Sequence, residues 1–224
     1  EHDQLVALTD HYFGKMTGKK LALQHNPPVL KATCKLNKKE TEQSHICLGT
    51  IGISQDSPEI YSVHVLNNIL GGGISSRLFQ SIREERGLAY SIYSYQTNYH
   101  DAGLFTVYPG TRHSNVNQVI ELILNNIADI RNNGVTYNEL TKAKEQLKGN
   151  LLLGLESSSS RMSRIGKLEV TLGKYVSLEE VVEKIDEVSI DDVRAMAQQL
   201  FNSRSMCLTV LGPSQEIFLP MVDL

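Results

Sequence analysis

Three consecutive glycines, Gly71, Gly72 and Gly73, end one helical pattern, a second follows at once, and Gly87 ends that one before a tyrosine-rich strand begins. Upstream, Ile60, Val63, Leu66, Ile69 and Leu70 repeat at helical spacing after Pro58. Downstream, Leu78, Phe79 and Ile82 mark the inward face of a helix over residues 75–86, and Gly87 supplies a left-handed stop. Two chain reversals within so short a segment force helix, helix and strand to pack as neighbours. They also bring backbone amides, a guanidinium and a phenol close together.

The remaining pattern surrounds this corner with strands and helices that do not alternate strictly. Leu5, Val6, Leu8 and Phe13 predict a tail helix, and a polar connector leads through Lys19 and Lys20 to Pro27. Residues 29–36 and 44–53 predict two antiparallel strands joined by a charged turn. Residues 89–99 and 104–108 predict a hairpin around His100, Asp101, Ala102 and Gly103. A long apolar stripe from Val116 to Ile130 follows Ser114, and Thr136 with Glu139 makes a capping box for the next helix. The run of serines at 157–160 predicts a helix bend or a loop, Ser177 with Glu180 and Ser189 with Asp192 cap two more helices, and residues 205–212 close with a strand. Such an order predicts an α+β domain, a mostly antiparallel sheet with helices packed on one face. The expected divisions are residues 1–27 as tail helix and linker, 28–212 as one domain, and 213–224 as a tail.

A chain of 224 residues can bury a full core, and 41% hydrophobic with 21% charged residues is ordinary for a soluble globular protein. The formal net charge of -3, with no basic stripe interleaved with aromatics, argues against nucleic acid as a partner. No apolar run is long enough to span a bilayer, so no membrane partner is expected. Cys34, Cys47 and Cys207 are widely spaced in apolar runs and are expected to be buried free thiols of a reducing compartment, which makes the location cytoplasmic. The chain begins at Glu1 without a methionine, so it is expected to be a piece of something longer.

Neither HExxH nor HxxEH occurs, and His64 has Asn68 rather than a ligand at the fourth position on. No metal is therefore expected within this chain. The glycine triplet admits three roles: a phosphate cradle, a flexible turn, or a mobile loop whose backbone contacts an extended substrate. The first lacks the lysine–serine pair of a P-loop and a preceding strand. Arg83 and Tyr90 straddle the Gly87 corner. A guanidinium can hold a peptide carbonyl or carboxylate, and a phenol can donate to an oxygen on which charge develops. The bland alternative has Arg83 solvated and balanced by Glu84 and Glu85, with Tyr90 packed in the sheet. Tyr93, Tyr95 and Tyr99 either form a half-buried sheet surface or an edge along which an extended peptide binds.

The segment from Gly71 to Tyr90 resembles the C-terminal half of the pitrilysin-type (M16) zinc metallopeptidases, most closely their bacterial and mitochondrial processing-peptidase branch. Residues 101–110, 140–149 (LTKAKEQLKG) and 155–164 extend the likeness to bacterial members. In that family two homologous domains close like a clamp, the first carrying HxxEH. The resemblance implies that Glu1 to Gly14 is the last helix of a preceding domain that binds Zn2+ and is this chain's main partner, with peptides as substrates. A homodimer through surface that the preceding domain otherwise covers is the further partner to consider. It also implies that Arg83 orients substrate, that Tyr90 stabilises the transition state, and that Gly71, Gly72, Gly73, Ser75 and Ser76 contact substrate. Alone, the chain is expected to be inactive; a non-catalytic scaffold subunit of the same fold is the alternative.

Overall fold

The computed structural model describes residues 1–18, 28–202 and 205–213. A five-stranded sheet runs in the order β1-β5-β2-β4-β3, with β1 Thr33–Lys38, β2 Ser44–Gly52, β3 Ala89–Asn98, β4 Gly103–Thr111 and β5 Cys207–Gly212. All neighbouring pairs are antiparallel except β1 with β5. The helices are α1 His2–Phe13, α2 Ile60–Gly71, α3 Val116–Asn133, α4 Tyr137–Gly154, α5 Ser158–Leu172, α6 Leu178–Glu187 and α7 Ile190–Leu200. The α+β architecture expected from the element order is the one observed.

One face of the sheet holds the core. Ile46 and Leu48 of β2, Phe105 and Val107 of β4, and Leu208 and Val210 of β5 point inward at every second position, as the pleat requires. Against them lie Leu66 and Leu70 of α2, Ile120 and Ile123 of α3, and Met196 and Leu200 of α7. Phe105 meets Phe201 edge to face at 5.3 Å, and the Thr50 hydroxyl donates to the Leu200 carbonyl at 2.6 Å, tying β2 to the end of α7.

Four local expectations change. Residues 29–36 and 44–53 run in opposite directions but do not pair, because β5 lies between them, parallel to β1 and antiparallel to β2. A strand far away in sequence wins that slot, since it brings Leu208 and Val210 to the core while the charged turn brings nothing apolar. The serine run is a loop only at its first residue: α4 ends at Gly154, residues 155–157 connect, and α5 starts afresh with Ser157 at its N-cap and Ser158 to Ser160 in the helix. The cysteines are not buried. Cys34 and Cys47 are exposed and Cys207 is half-buried, because Cys47 occupies an outward position between the buried Ile46 and Leu48. Finally, only Arg77 and Leu78 are α-helical after the glycine triplet, and the segment continues as a π-helical turn, Phe79–Glu84. The expected connector at 19–27 and most of the C-terminal tail lie outside the described residues.

Candidate functional site

The corner between the glycine triplet and β3 is built by close backbone approach. A Cβ on Gly71 would come within 2.5 Å of the Ser94 backbone nitrogen, so only glycine lets the end of α2 rest on β3. Ser94 completes the joint, its hydroxyl donating to the Asn67 side chain at 2.8 Å. Gly72 is equally tight against Asn68, with 2.7 Å from a Cβ to its Cα, whereas Gly73 abuts only the flexible Gln146 side chain. Ser75 is exposed. Ser76 is buried, with its backbone N–H donating to the Gly73 carbonyl and its hydroxyl without a partner among the described residues. A groove of about 290 Å³ runs between residues 71–74 and 92–94, floored by Phe79. Two larger depressions, of about 530 and 750 Å³, flank α6 and include none of the predicted site residues.

The π-turn decides where Arg83 points. Glu85 N–H reaches back to the Gln80 carbonyl at 3.0 Å, widening the turn, and the Arg83 guanidinium lies over the Phe79 ring at 4.8 Å. Gly87 takes φ +60°, where its N–H donates to the Arg83 carbonyl and that of Leu88 to the Ile82 carbonyl. The strand then enters through a bulge: Ala89 faces Thr111 and Ser91 faces Gly110, leaving Tyr90 with no residue opposite. Tyr90 is 76% exposed as a result, and the Arg83 guanidinium lies over its ring at 5.7 Å.

Arg83 and Tyr90 are thus brought to one point, at the start of an edge strand, beside the glycine groove. The bland alternative holds only in that Arg83 is exposed. Among the described residues Arg83 pairs with no carboxylate, since Glu85 takes Arg86 at 2.9 Å, and Tyr90 stands clear of the sheet. Phe79, which seats Arg83, was not singled out as a site residue by sequence, although its place four residues before Arg83 on a helical segment is the signal that marks it.

Arg77 fixes the same corner from behind. Its guanidinium grips Glu139 with Nε at 2.6 Å and a terminal nitrogen at 3.0 Å, and also reaches Asp129 at 2.6 Å and the Gly134 carbonyl at 3.2 Å. Burial disfavours the Glu139 charge, but hydrogen bonds from Arg77 and Thr136 outweigh it and hold the carboxyl at about 2. Sequence spacing gives no hint of this clamp, because its partners lie in other helical segments.

No group of three His, Cys, Asp or Glu side chains that could hold a metal occurs among the described residues. No helix among them is long and apolar enough to cross a membrane.

The sheet, antiparallel except for β1 with β5, carries its helical core on one face and the arginine–tyrosine corner at its β3 edge. The chain belongs to the M16 peptidase family, matching the family model described as the peptidase M16 inactive domain over residues 1–147. It is 42% identical over 212 residues to the uncharacterized zinc protease YmxG of Bacillus subtilis, covering 95% of this chain and 52% of that protein. It is 38% identical over 221 residues to an uncharacterized zinc protease of Mycobacterium leprae, covering 95% and 49%. The chain therefore spans about half the length of these curated relatives. The fold superposes on a peptidase M16 inactive domain from Pseudomonas fluorescens with a TM-score of 0.86 at 24% identity, covering 98% of this chain and 53% of that one. A protease from Helicobacter pylori gives 0.82 at 18% identity, covering 95% and 53%.

Proposed function

We propose that this chain is the substrate-holding C-terminal half of a zinc metalloendopeptidase of the processing-peptidase type. The observation that carries the reading is the convergence of Arg83 and Tyr90 beside a glycine-lined groove at a sheet edge. Arg83 has fixed donors for a peptide carbonyl or carboxylate, and its seat on Phe79 limits the freedom lost on binding. Tyr90, lifted from the sheet by the bulge, can donate to a carbonyl oxygen as charge develops on it. Gly71, Gly72 and Gly73 offer backbone along the groove and Ser75 is exposed next to it in sequence, whereas Ser76, expected to contact substrate, is buried and outside the groove's lining. Zinc and the HxxEH motif belong to a preceding homologous half, which closes over peptides to form a chamber; the fragment alone is inactive, in keeping with the family model's description as an inactive domain. The protein works in the bacterial cytoplasm, and an isolated half forms a homodimer through the surface its partner otherwise covers.

The deciding experiment mixes this chain with a zinc-loaded preceding half and follows cleavage of a quenched peptide library. Activity that needs both halves and falls in Arg83→Ala and Tyr90→Phe supports the reading. An assembled but inactive mixture establishes a scaffold subunit instead.

A further inference from the structure

The open face of the sheet carries a row of rings. Tyr95 lies beside Tyr93 with centroids 6.0 Å apart, Tyr93 beside Tyr108 at 5.1 Å, and Tyr108 stacks on His45 at 6.0 Å. The register places them so: Tyr93 is directly opposite Tyr108, and His45 is opposite Gly110, two residues beyond Tyr108. The Tyr108 hydroxyl reaches across to His45 Nδ1 at 2.6 Å. The inner pair is thereby locked by a hydrogen bond, while the outer pair remains 44% and 42% exposed. Thr106, opposite Tyr95, is buried with its hydroxyl unpartnered among the described residues, an orphan polar atom on the same face.

We infer that Tyr93 and Tyr95, braced by Tyr108 and His45, form a subsite for an aromatic side chain of a peptide lying along the β3 edge. The inference rests on the peptide-holding reading and names what that site prefers. Three observations choose the occupant. β3 is the outer strand of the sheet, so an extended chain can lie beside it, and Tyr93 is among the residues at the groove by the glycine loop, which puts the ring pair next to the candidate site along the same strand. The strand positions of this face include no carboxylate, Lys35 being the charged residue among them, so a cationic side chain finds no counter-ion. Spacings of 5.1 and 6.0 Å are those of rings packed on one another, so an incoming ring packs in a tilted or edge-on contact on the exposed parts of Tyr93 and Tyr95 rather than between them.

The test measures binding of labelled peptides, identical except for Phe, Ala or Lys at one central position, to this chain. The Phe peptide is expected to bind about tenfold more tightly than the Ala peptide, and the Lys peptide no better than Ala. Tyr93→Ala, and Tyr95→Ala nearer the solvent should the first not fold, is expected to erase the preference. Tyr108→Phe keeps the ring but cuts the bond to His45; as a bracing change it is expected to lower the Phe preference several-fold while leaving Ala-peptide affinity unchanged. Equal affinity for all three peptides, a preference for Lys, or a Phe preference that survives in a folded Tyr93→Ala protein overturns the subsite and leaves the peptide-holding reading standing. Failure of every peptide to bind overturns both.

Discussion

Arg77 and Glu139 share two hydrogen bonds, at 2.6 and 3.0 Å, across 62 residues of chain, and through them the turn after the glycine triplet is pinned to the start of α4. Arg77→Met removes the clamp and leaves Glu139 and Asp129 without their ion-pair partner, although Thr136 still donates to Glu139 and Asn133 to Asp129. We expect a loss of about 2 kcal/mol in urea unfolding. Glu139, held at about 2, contributes stability that is present above the ordinary carboxylate range and is lost as pH falls through about 2. The acid limb of the stability profile should therefore flatten in the Arg77→Met protein.

His64 gives a dependence of the same sign in a higher pH window. Burial lowers its pKa to about 4, and its Nδ1 meets the Gln96 side-chain amide, so the folded protein holds a neutral ring. Between about 6.5 and 4 the unfolded chain takes up a proton that the folded one does not, and stability falls with pH over that window. NMR titration should find this ring neutral at pH 5, and a midpoint above 6 would contradict the burial argument.

Two glycines should respond in opposite directions to alanine. Gly71→Ala drives a methyl into Ser94 and should cost about 1–3 kcal/mol, separating α2 from β3. Gly149→Ala, in the middle of α4 with open space around it, should raise stability by about 0.5–1 kcal/mol. Thermal melts of the two variants side by side make the comparison.

In the assembled two-half protein, Tyr90→Phe is expected to lower kcat about a hundredfold with little change in KM, because a phenol donating to developing charge acts mainly in the transition state. Under the proposed role, Arg83→Ala is expected to raise KM, since a guanidinium already seated on Phe79 would hold substrate alike in the ground and transition states. Steady-state kinetics on the two variants separates the roles.

Much of this was legible because it is local. The capping box of Thr136 with Glu139, the left-handed Gly87, the hairpin from β3 to β4 and the α3 stripe all depend on residues a few positions apart. What escaped is long-range or a matter of phase. The β5 insertion and the Arg77 clamp join segments that no spacing connects. The exposure of Cys47 turned on which face of β2 the core would claim, and the π-turn on a single extra residue in one helical turn. At the site, the corner at Gly87 made Arg83 and Tyr90 candidates and only the family resemblance gave them roles; their convergence needed the bulge and the widened turn, neither of which has a sequence signature of its own.

The place of β5 bears on how the molecule is made. Because the last strand lies between the first two, β1 has no hydrogen-bonding neighbour, and β2 has one open side, until nearly the whole domain has left the ribosome. The nascent chain must first gather α2 and the β3–β4 hairpin on β2, then hold that incomplete sheet against aggregation while the later helices emerge. Closure by β5 is a single late event that joins the two ends of the domain, and the long loop it seals makes folding slow relative to that of a helical protein of similar size.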